Sequence, residues 1–248
     1  MLIHPTIENL RHMKLSGMIR ALESQLQTPD AQELPFDDRF GMIVDAEMNS
    51  RDNRSLQSRL TKARLRQSAC IEDIDFRTAR GLDRTVVASL ATSTWIGQHH
   101  HVLITGPTGS GKSFITCALA QKACRDGYSA AYHRASKLFQ DLAIAKSTGK
   151  YGTMLTGLGK KDLLVIDDFG LAVLTDEQRH DLLEIVEDRY ERKSLIIASQ
   201  LPIERWHETI GDPTIADAIL DRVVHNSYKL NLRAKKSMRD TKGKDIEF

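Results

Sequence analysis

Residues 101–113 read HVLITGPTGSGKS. The apolar run from His101 to Thr105 predicts a buried strand, and Gly106 to Ser113 directly after it match the phosphate-loop pattern G-x-x-x-x-G-K-[ST] in full. The spacing has a physical cause. Glycines at 106, 109 and 111 let the backbone turn its N–H groups inward around an anion, a conformation that a Cβ would obstruct. Within the loop Gly106-Pro107-Thr108-Gly109-Ser110-Gly111, followed by Lys112 and Ser113, Lys112 brings a point charge toward the β- and γ-phosphates and Ser113 a hydroxyl suited to the Mg²⁺ shell. The helix that starts here points its positive end at the same phosphates. A nucleotide such as ATP, with Mg²⁺, is therefore the expected ligand.

Working outward, the sequence alternates strands and helices. A helix over 86–95 precedes the strand at 101–105; a helix from Lys112 runs to near Gly127; a strand at 128–133, a helix at 135–146 and a strand at 163–167 follow. Thr175-Asp176-Glu177-Gln178 is a capping-box start for the next helix, and a strand at 194–199, a helical stretch at 214–224 and a last strand near 227–232 complete the series. Such alternation predicts an α/β fold with a parallel sheet covered on both faces. The first third reads differently. Residues 6–27 carry apolar residues at helical spacing, with Thr6 as N-cap after Pro5; 28–35 have loop composition; and 36–68 predict one or two further helices. The expected organisation is a helical N-terminal domain over 1–68, a charged linker over 69–84 and an ATPase domain over 85–248.

A phosphate loop needs an acidic strand end to hold the metal from the side opposite the Ser hydroxyl. Leu163-Leu164-Val165-Ile166-Asp167-Asp168 supplies it, with Asp167 as the metal-shell carboxylate and Asp168 where a related ATPase often carries the Glu that deprotonates water. Leu195 to Gln200 is another buried strand ending in polar residues, and Gln200 is favoured over Ser199 as the contact to water or γ-phosphate. Arg222, in Leu220-Asp221-Arg222-Val223, has the character of an arginine finger offered to a neighbouring subunit. Asp168-Phe169-Gly170 spells a kinase motif, but no H-R-D loop accompanies it. His99-His100-His101 has no Cys or carboxylate spaced to complete a metal site.

Composition bounds the partners. The net charge is +2, and no apolar run approaches the length of a membrane span, so a soluble cytoplasmic protein is expected. Cys70, Cys117 and Cys124 lack disulfide or zinc spacing. The charge is segregated: six acidic residues against one Arg from Pro29 to Asn49, six basic against one Asp from Arg51 to Arg66, and seven basic against three acidic from Lys229 onward. On a helical wheel Arg51, Arg54, Arg59, Lys62 and Arg66 share one arc, a stripe suited to phosphates of double-stranded DNA without regard to sequence.

GPTGSGKS, LLVIDDFG, IIASQLPIERWH and ILDRV together resemble the AAA+ ATPases of the helicase-loader and initiator branch. KLSGMIRALESQL, DDRFGMIVDAEMNSRDNRSLQSRLTKARLR and the run from Gln200 to His207 are similar to the IstB helper ATPases of bacterial insertion sequences. The resemblance implies a homo-oligomer with ATP sites between subunits that assembles on target DNA and stimulates a partner transposase. It also implies roles for single residues: Asp167 with Mg²⁺, Asp168 with water, Gln200 sensing the γ-phosphate and Arg222 acting across a subunit boundary. A helicase loader of the same branch, or a nucleotide-gated DNA scaffold with little turnover, are the other readings. Only 26 residues follow Arg222, so no full lid is expected.

Overall fold

The computed structural model describes residues 3–28, 31, 33–77, 80–233 and 238. The chain divides into two compact units, Met1–Ser58 and Arg59–Phe248. Most of the basic stretch after Arg233 lies outside the described residues.

In the first unit, the single helix expected over 6–27 is two: α1 (Ile3–His12) and α2 (Ser16–Gln27). Thr6 accordingly lies inside α1, not at its N-cap. The break is a Schellman closure, with Lys14 left-handed at φ 59°, its N–H on Arg11 O at 3.0 Å and the Leu15 N–H on Leu10 O at 2.9 Å. The new helix start is capped from a distance. Glu47 accepts the N–H groups of Gly17 (2.6 Å) and Met18 (3.3 Å), and its other oxygen holds Arg51 Nε at 2.8 Å. Arg51 is the main cause that keeps the Glu47 carboxyl below its usual range. Gly17 is required by this approach, since a Cβ there would lie 2.5 Å from Ala46 O. Glu47 and Arg51 belong to α3 (Phe36–Ala63), a single helix of 28 residues that continues past Ser58.

The second unit carries α4 (Arg84–Leu90) and α5 (Thr94–Gly97) where one helix over 86–95 was expected. Ser93 turns left-handed at φ 57° between them, and the Trp95 indole N–H donates to Leu90 O at 3.0 Å, so the break is closed by a buried hydrogen bond. The alternation then runs β1 (His101–Thr105), α6 (Lys112–Arg125), β2 (Ala130–Arg134), α7 (Ala135–Ser147), α8 (Tyr151–Gly159), β3 (Leu163–Phe169), α9 (Asp176–Arg189), β4 (Ser194–Ser199), α10 (Trp206–Ile210), α11 (Pro213–Val224) and β5 (Ser227–Asn231). The capping box of α9 forms in both directions: Thr175 Oγ1 accepts the Gln178 N–H, and Gln178 Oε1 accepts the Thr175 N–H.

Among the described residues the sheet has the order β2-β3-β4-β1-β5, with every ladder parallel. β1 and β4 are buried at every position, as strands covered on both faces must be. On one face Leu103, Ile166 and Ile197 pack with Leu138 of α7, Ile185 of α9 and Ile219 of α11. Each such burial contributes roughly 1.5–3 kcal/mol. Cys117 and Cys124 are buried on α6, as core residues. At the start of the strands, buried Arg189 gathers the carbonyls of Leu158, Lys161, Asp162 and Ser194 at 2.7–3.2 Å. Burial lowers its pKa to about 10, yet the four acceptors keep it a cation that ties α8, β3 and β4 together. Sheet order brings the C-terminal ends of β1, β4 and β3 side by side. That edge is where an open parallel sheet binds ligands.

Candidate active site

The phosphate loop leaves β1 and enters α6 through Gly111, which stands at the N-cap with φ 91° and no side-chain cap. A helix start whose N-cap residue contributes no side chain is the arrangement that phosphate binding uses. Gly106 is forced by its surroundings: at φ 147° a Cβ would lie 2.4 Å from Leu232 O. Its N–H donates to Ser199 O of β4 at 3.2 Å, which fixes the loop to the neighbouring strand end. Lys112 is buried and curls over the loop, with Nζ donating to Gly106 O at 2.7 Å and Pro107 O at 2.9 Å. Burial lowers its pKa, and the carboxylates of Asp167 and Asp168 act in the opposite direction. Ser110 Oγ is buried without a hydrogen-bond partner. A cradle of left-handed glycines, a buried cation, an uncapped helix and an orphaned hydroxyl fit the phosphates of a nucleotide. Half-buried Ser113 follows Lys112 in the first turn of α6.

The acids stand at the end of β3. Asp167 is fully buried; its Oδ2 accepts the Tyr132 hydroxyl of β2 and its Oδ1 the Asp168 N–H at 2.8 Å. Burial, reinforced by the carboxylate, pushes the Tyr132 pKa up, so the phenol keeps its proton and donates it to Asp167. Asp168 adopts a left-handed φ of 58° within a register shift between Ile166 and Phe169. Its Oδ2 meets Arg134 Nε at 3.1 Å and Arg66 Nη1 at 3.4 Å; the same Arg66 nitrogen is 3.9 Å from Asp167 Oδ2.

Gln200 joins the loop directly, accepting the Thr108 hydroxyl on Oε1 at 2.8 Å. Ser199 is structural by contrast, its buried hydroxyl donating to Phe169 O at 2.8 Å and tying β4 to β3. The structure thus brings together residues 106–113, Asp167, Asp168 and Gln200. Arg222 is engaged elsewhere in the chain: Nη2 lies 3.1 Å from Glu187 Oε1, Nη1 donates to Ala218 O at 2.7 Å, and the guanidinium lies over the Tyr190 ring.

The basic stripe is corrected in part. α3 ends at Ala63 and Arg64 turns left-handed at φ 51°, so Arg66 leaves the helical arc and faces the acid pair. Arg59 is half-buried and donates to Cys124 O at 2.8 Å. Arg51, Arg54 and Lys62 remain exposed along α3. His101 is a core residue, its Nδ1 accepting the Leu195 N–H at 3.2 Å.

Residues 8–245 match the model of the family described as IstB-like ATP binding protein. The chain belongs to this family. An insertion sequence ATP-binding protein of Sinorhizobium fredii is 45% identical over 244 residues, covering 98% of this chain and all of that one. The ATP-binding protein of insertion sequence IS21 from Pseudomonas aeruginosa is 31% identical over 224 residues, covering 90% of this chain and 84% of its own. In fold, the chain is similar to the AMPPCP-bound replication initiator DnaA of Aquifex aeolicus, with a TM-score of 0.58 at 16% identity over 75% of this chain and 58% of that one. It is also similar to the DnaC helicase loader, with a TM-score of 0.56 at 15% identity over 66% and 97% of the two chains. The fold is therefore the α/β P-loop NTPase fold seen in DnaA and DnaC, here with N-terminal helices, and the family is one of ATP-binding proteins.

Sequence reasoning missed Tyr132, Arg134 and the second role of Arg66. The signal for the first two is a ladder position: Arg134 pairs with Asp167 and Tyr132 with Val165 across β2 and β3. That pairing depends on strand order, which the apolar runs do not encode. No helix among the described residues is long and apolar enough to cross a membrane.

Proposed function

We propose that this protein is a Mg²⁺-dependent ATPase of insertion-sequence transposition, whose nucleotide cycle controls assembly on target DNA and stimulation of a partner transposase. The observation that carries the enzymatic part is the convergence of Lys112, Asp167, Asp168 and Gln200 on one edge of the sheet. The loop N–H groups and Lys112 bind the β- and γ-phosphates. Ser113 and Asp167 hold Mg²⁺, which neutralises phosphate charge when bound. Asp168 takes the proton of the attacking water as the new O–P bond forms and the β–γ bridging bond breaks, giving ADP and phosphate. Gln200 orients that water.

Arg222 serves a neighbouring subunit in this reading. Its contacts to Glu187 and Tyr190 are to groups near the surface, which a subunit interface can replace. In this reading Met1–Ser58 is the oligomerising unit and Arg59–Phe248 the ATPase unit, and residues 69–84, expected as a linker, lie inside the second, where Ala69, Ile74 and Arg80 are buried. Double-stranded DNA is met without sequence preference by the exposed cations of α3, Arg51, Arg54 and Lys62. Membership of the insertion-sequence family supports a transposase as the partner and the cytoplasm as the place of assembly. A nucleotide-gated scaffold with little turnover is the second reading, favoured by the two arginines that engage Asp168.

Asp168→Asn separates the two. Asn tolerates the left-handed φ but cannot take a proton, so binding of ATP should persist while turnover falls by about 100-fold or more. Equal turnover in both proteins would remove Asp168 from catalysis. For DNA, neutralising Arg51, Arg54 and Lys62 together should weaken ATP-dependent gel-shift affinity for any duplex and flatten its salt dependence. Unchanged affinity would refute the α3 surface.

A further inference from the structure

Arg66 is a residue that the phosphate loop does not account for. Its Nη1 stands 3.4 Å from Asp168 Oδ2 and 3.9 Å from Asp167 Oδ2, so one nitrogen faces both carboxylates. Arg134 touches only Asp168, at 3.1 Å, from the adjacent strand. Both oxygens of Asp167 are engaged: Oδ1 accepts the Asp168 N–H, and Oδ2 accepts the Tyr132 hydroxyl while facing Arg66. Arg66 is held by the same groups, and its pKa is raised, first by the Tyr132 hydroxyl and then by the two acids.

We propose that Arg66 and the divalent cation compete for the acid pair, so that loading of Mg²⁺–ATP expels Arg66 while Arg134 stays to position Asp168. The inference rests on Asp167 being the metal-shell acid. Mg²⁺ binds oxygen at about 2.0–2.1 Å, so a guanidinium so close to the same oxygens meets a doubly charged ion with no screening between them. Arg66 is also built to leave. It lies on no β-strand, and it follows Arg64, whose φ of 51° strains the turn at the end of α3; exposure does not separate the two arginines, since the Arg134 side chain is 51% and the Arg66 side chain 42% exposed. Arg134, at the end of β2, is held by the Asp167 ladder pairing. Expulsion therefore changes the segment just after α3 and returns one cation to solvent.

The test is binding of a fluorescent ATP analogue across a Mg²⁺ titration. Arg66→Gln should lower the half-saturating Mg²⁺ concentration by about tenfold, Arg66→Lys should restore it toward the wild-type value, and Arg134→Gln should shift it by less than about twofold. An unchanged or higher Mg²⁺ requirement in Arg66→Gln overturns the competition. The underlying reading fails separately, if the wild-type protein shows no Mg²⁺ dependence or Asp167→Asn keeps it intact. Hydrogen exchange on the unmodified chain gives a second readout. Amides of residues 64–70 should exchange faster with Mg²⁺ and a non-hydrolysable ATP analogue than with the analogue in EDTA; equal or slower exchange overturns the proposal.

Discussion

His101 opens the strand that delivers the phosphate loop, and its protonation should unfold that strand's surroundings in mild acid. The ring is 1% exposed and its Nδ1 accepts the Leu195 N–H, so the folded state holds the neutral tautomer protonated at Nε2. Burial is the main cause of its pKa falling from 6.5 to about 4, and the Arg189 and His100 charges add to it. The unfolded chain binds a proton below 6.5 that the folded chain refuses until about 4, so stability is full above pH 6.5 and is lost as pH falls through that window. At about 1.4 kcal/mol per pH interval, the loss amounts to about 2 kcal/mol by pH 5 and about 3 kcal/mol by pH 4. Carboxylates also titrate there, so the useful quantity is the difference from His101→Asn, whose amide oxygen can accept the same N–H without titrating. Urea unfolding followed by fluorescence reads this unit well, because Trp95 and Trp206 are both 1% exposed within it. Between pH 7.5 and 5, the wild-type protein should lose about 2 kcal/mol more than the variant. Losses that agree within about 0.5 kcal/mol would refute the buried-histidine argument.

Two further perturbations test the frame around the site. Gly106→Ala places a Cβ 2.4 Å from Leu232 O, a backbone atom whose residue is itself bonded to Thr105, so a cost of about 2 kcal/mol or more is expected in thermal melting. Gly127→Ala, with φ 98° but nothing within 4 Å, should cost less; the reverse order would contradict the close-approach argument. Arg189→Met strips the donor from four carbonyls at once and should lower stability by about 3 kcal/mol or more in urea titration. A loss under about 1 kcal/mol would show that those carbonyls find other partners.

The parts legible in sequence were those with local causes. β1 and β4 fall where the apolar runs put them, because Val102–Ile104 and Leu195–Ala198 are uninterrupted apolar runs bounded by polar His101, Thr105, Ser194 and Ser199. The capping box of α9 was readable because both of its bonds lie within four residues. α8 escaped notice: Gly152, Gly157 and Gly159 make YGTMLTGLG a poor helix former, and packing of Tyr151, Met154 and Leu155 on the core overrides that propensity. The break between α1 and α2 depends on Lys14 taking a left-handed conformation usually given to Gly, and on Glu47 arriving from another helix to cap Gly17. In the site, the phosphate loop and Asp167 are visible because the motif is contiguous. Tyr132, Arg134 and Arg66 reach the acids only through strand order and a turn, and neither is written in periodicity.

The short acid at 168 has an explanation in the backbone. A Glu there would reach further by one methylene, but position 168 sits at φ 58°, where a longer side chain gains no local hydrogen bond and the strain of roughly 1 kcal/mol stands uncompensated. Asp is among the few residue types that take this conformation readily. The register shift between Ile166 and Phe169 re-aims the residue at the sheet edge, which is what bulges beside active sites do. Backbone geometry thus supplies part of the reach that the side chain lacks. It also leaves the carboxylate where Arg134 and Arg66 can both hold it, so the same distortion that turns Asp168 to the sheet edge brings it within reach of Arg66. Reach and restraint at this acid have one structural origin, and substitutions at Arg66 should therefore alter the metal requirement without altering the position of Asp168.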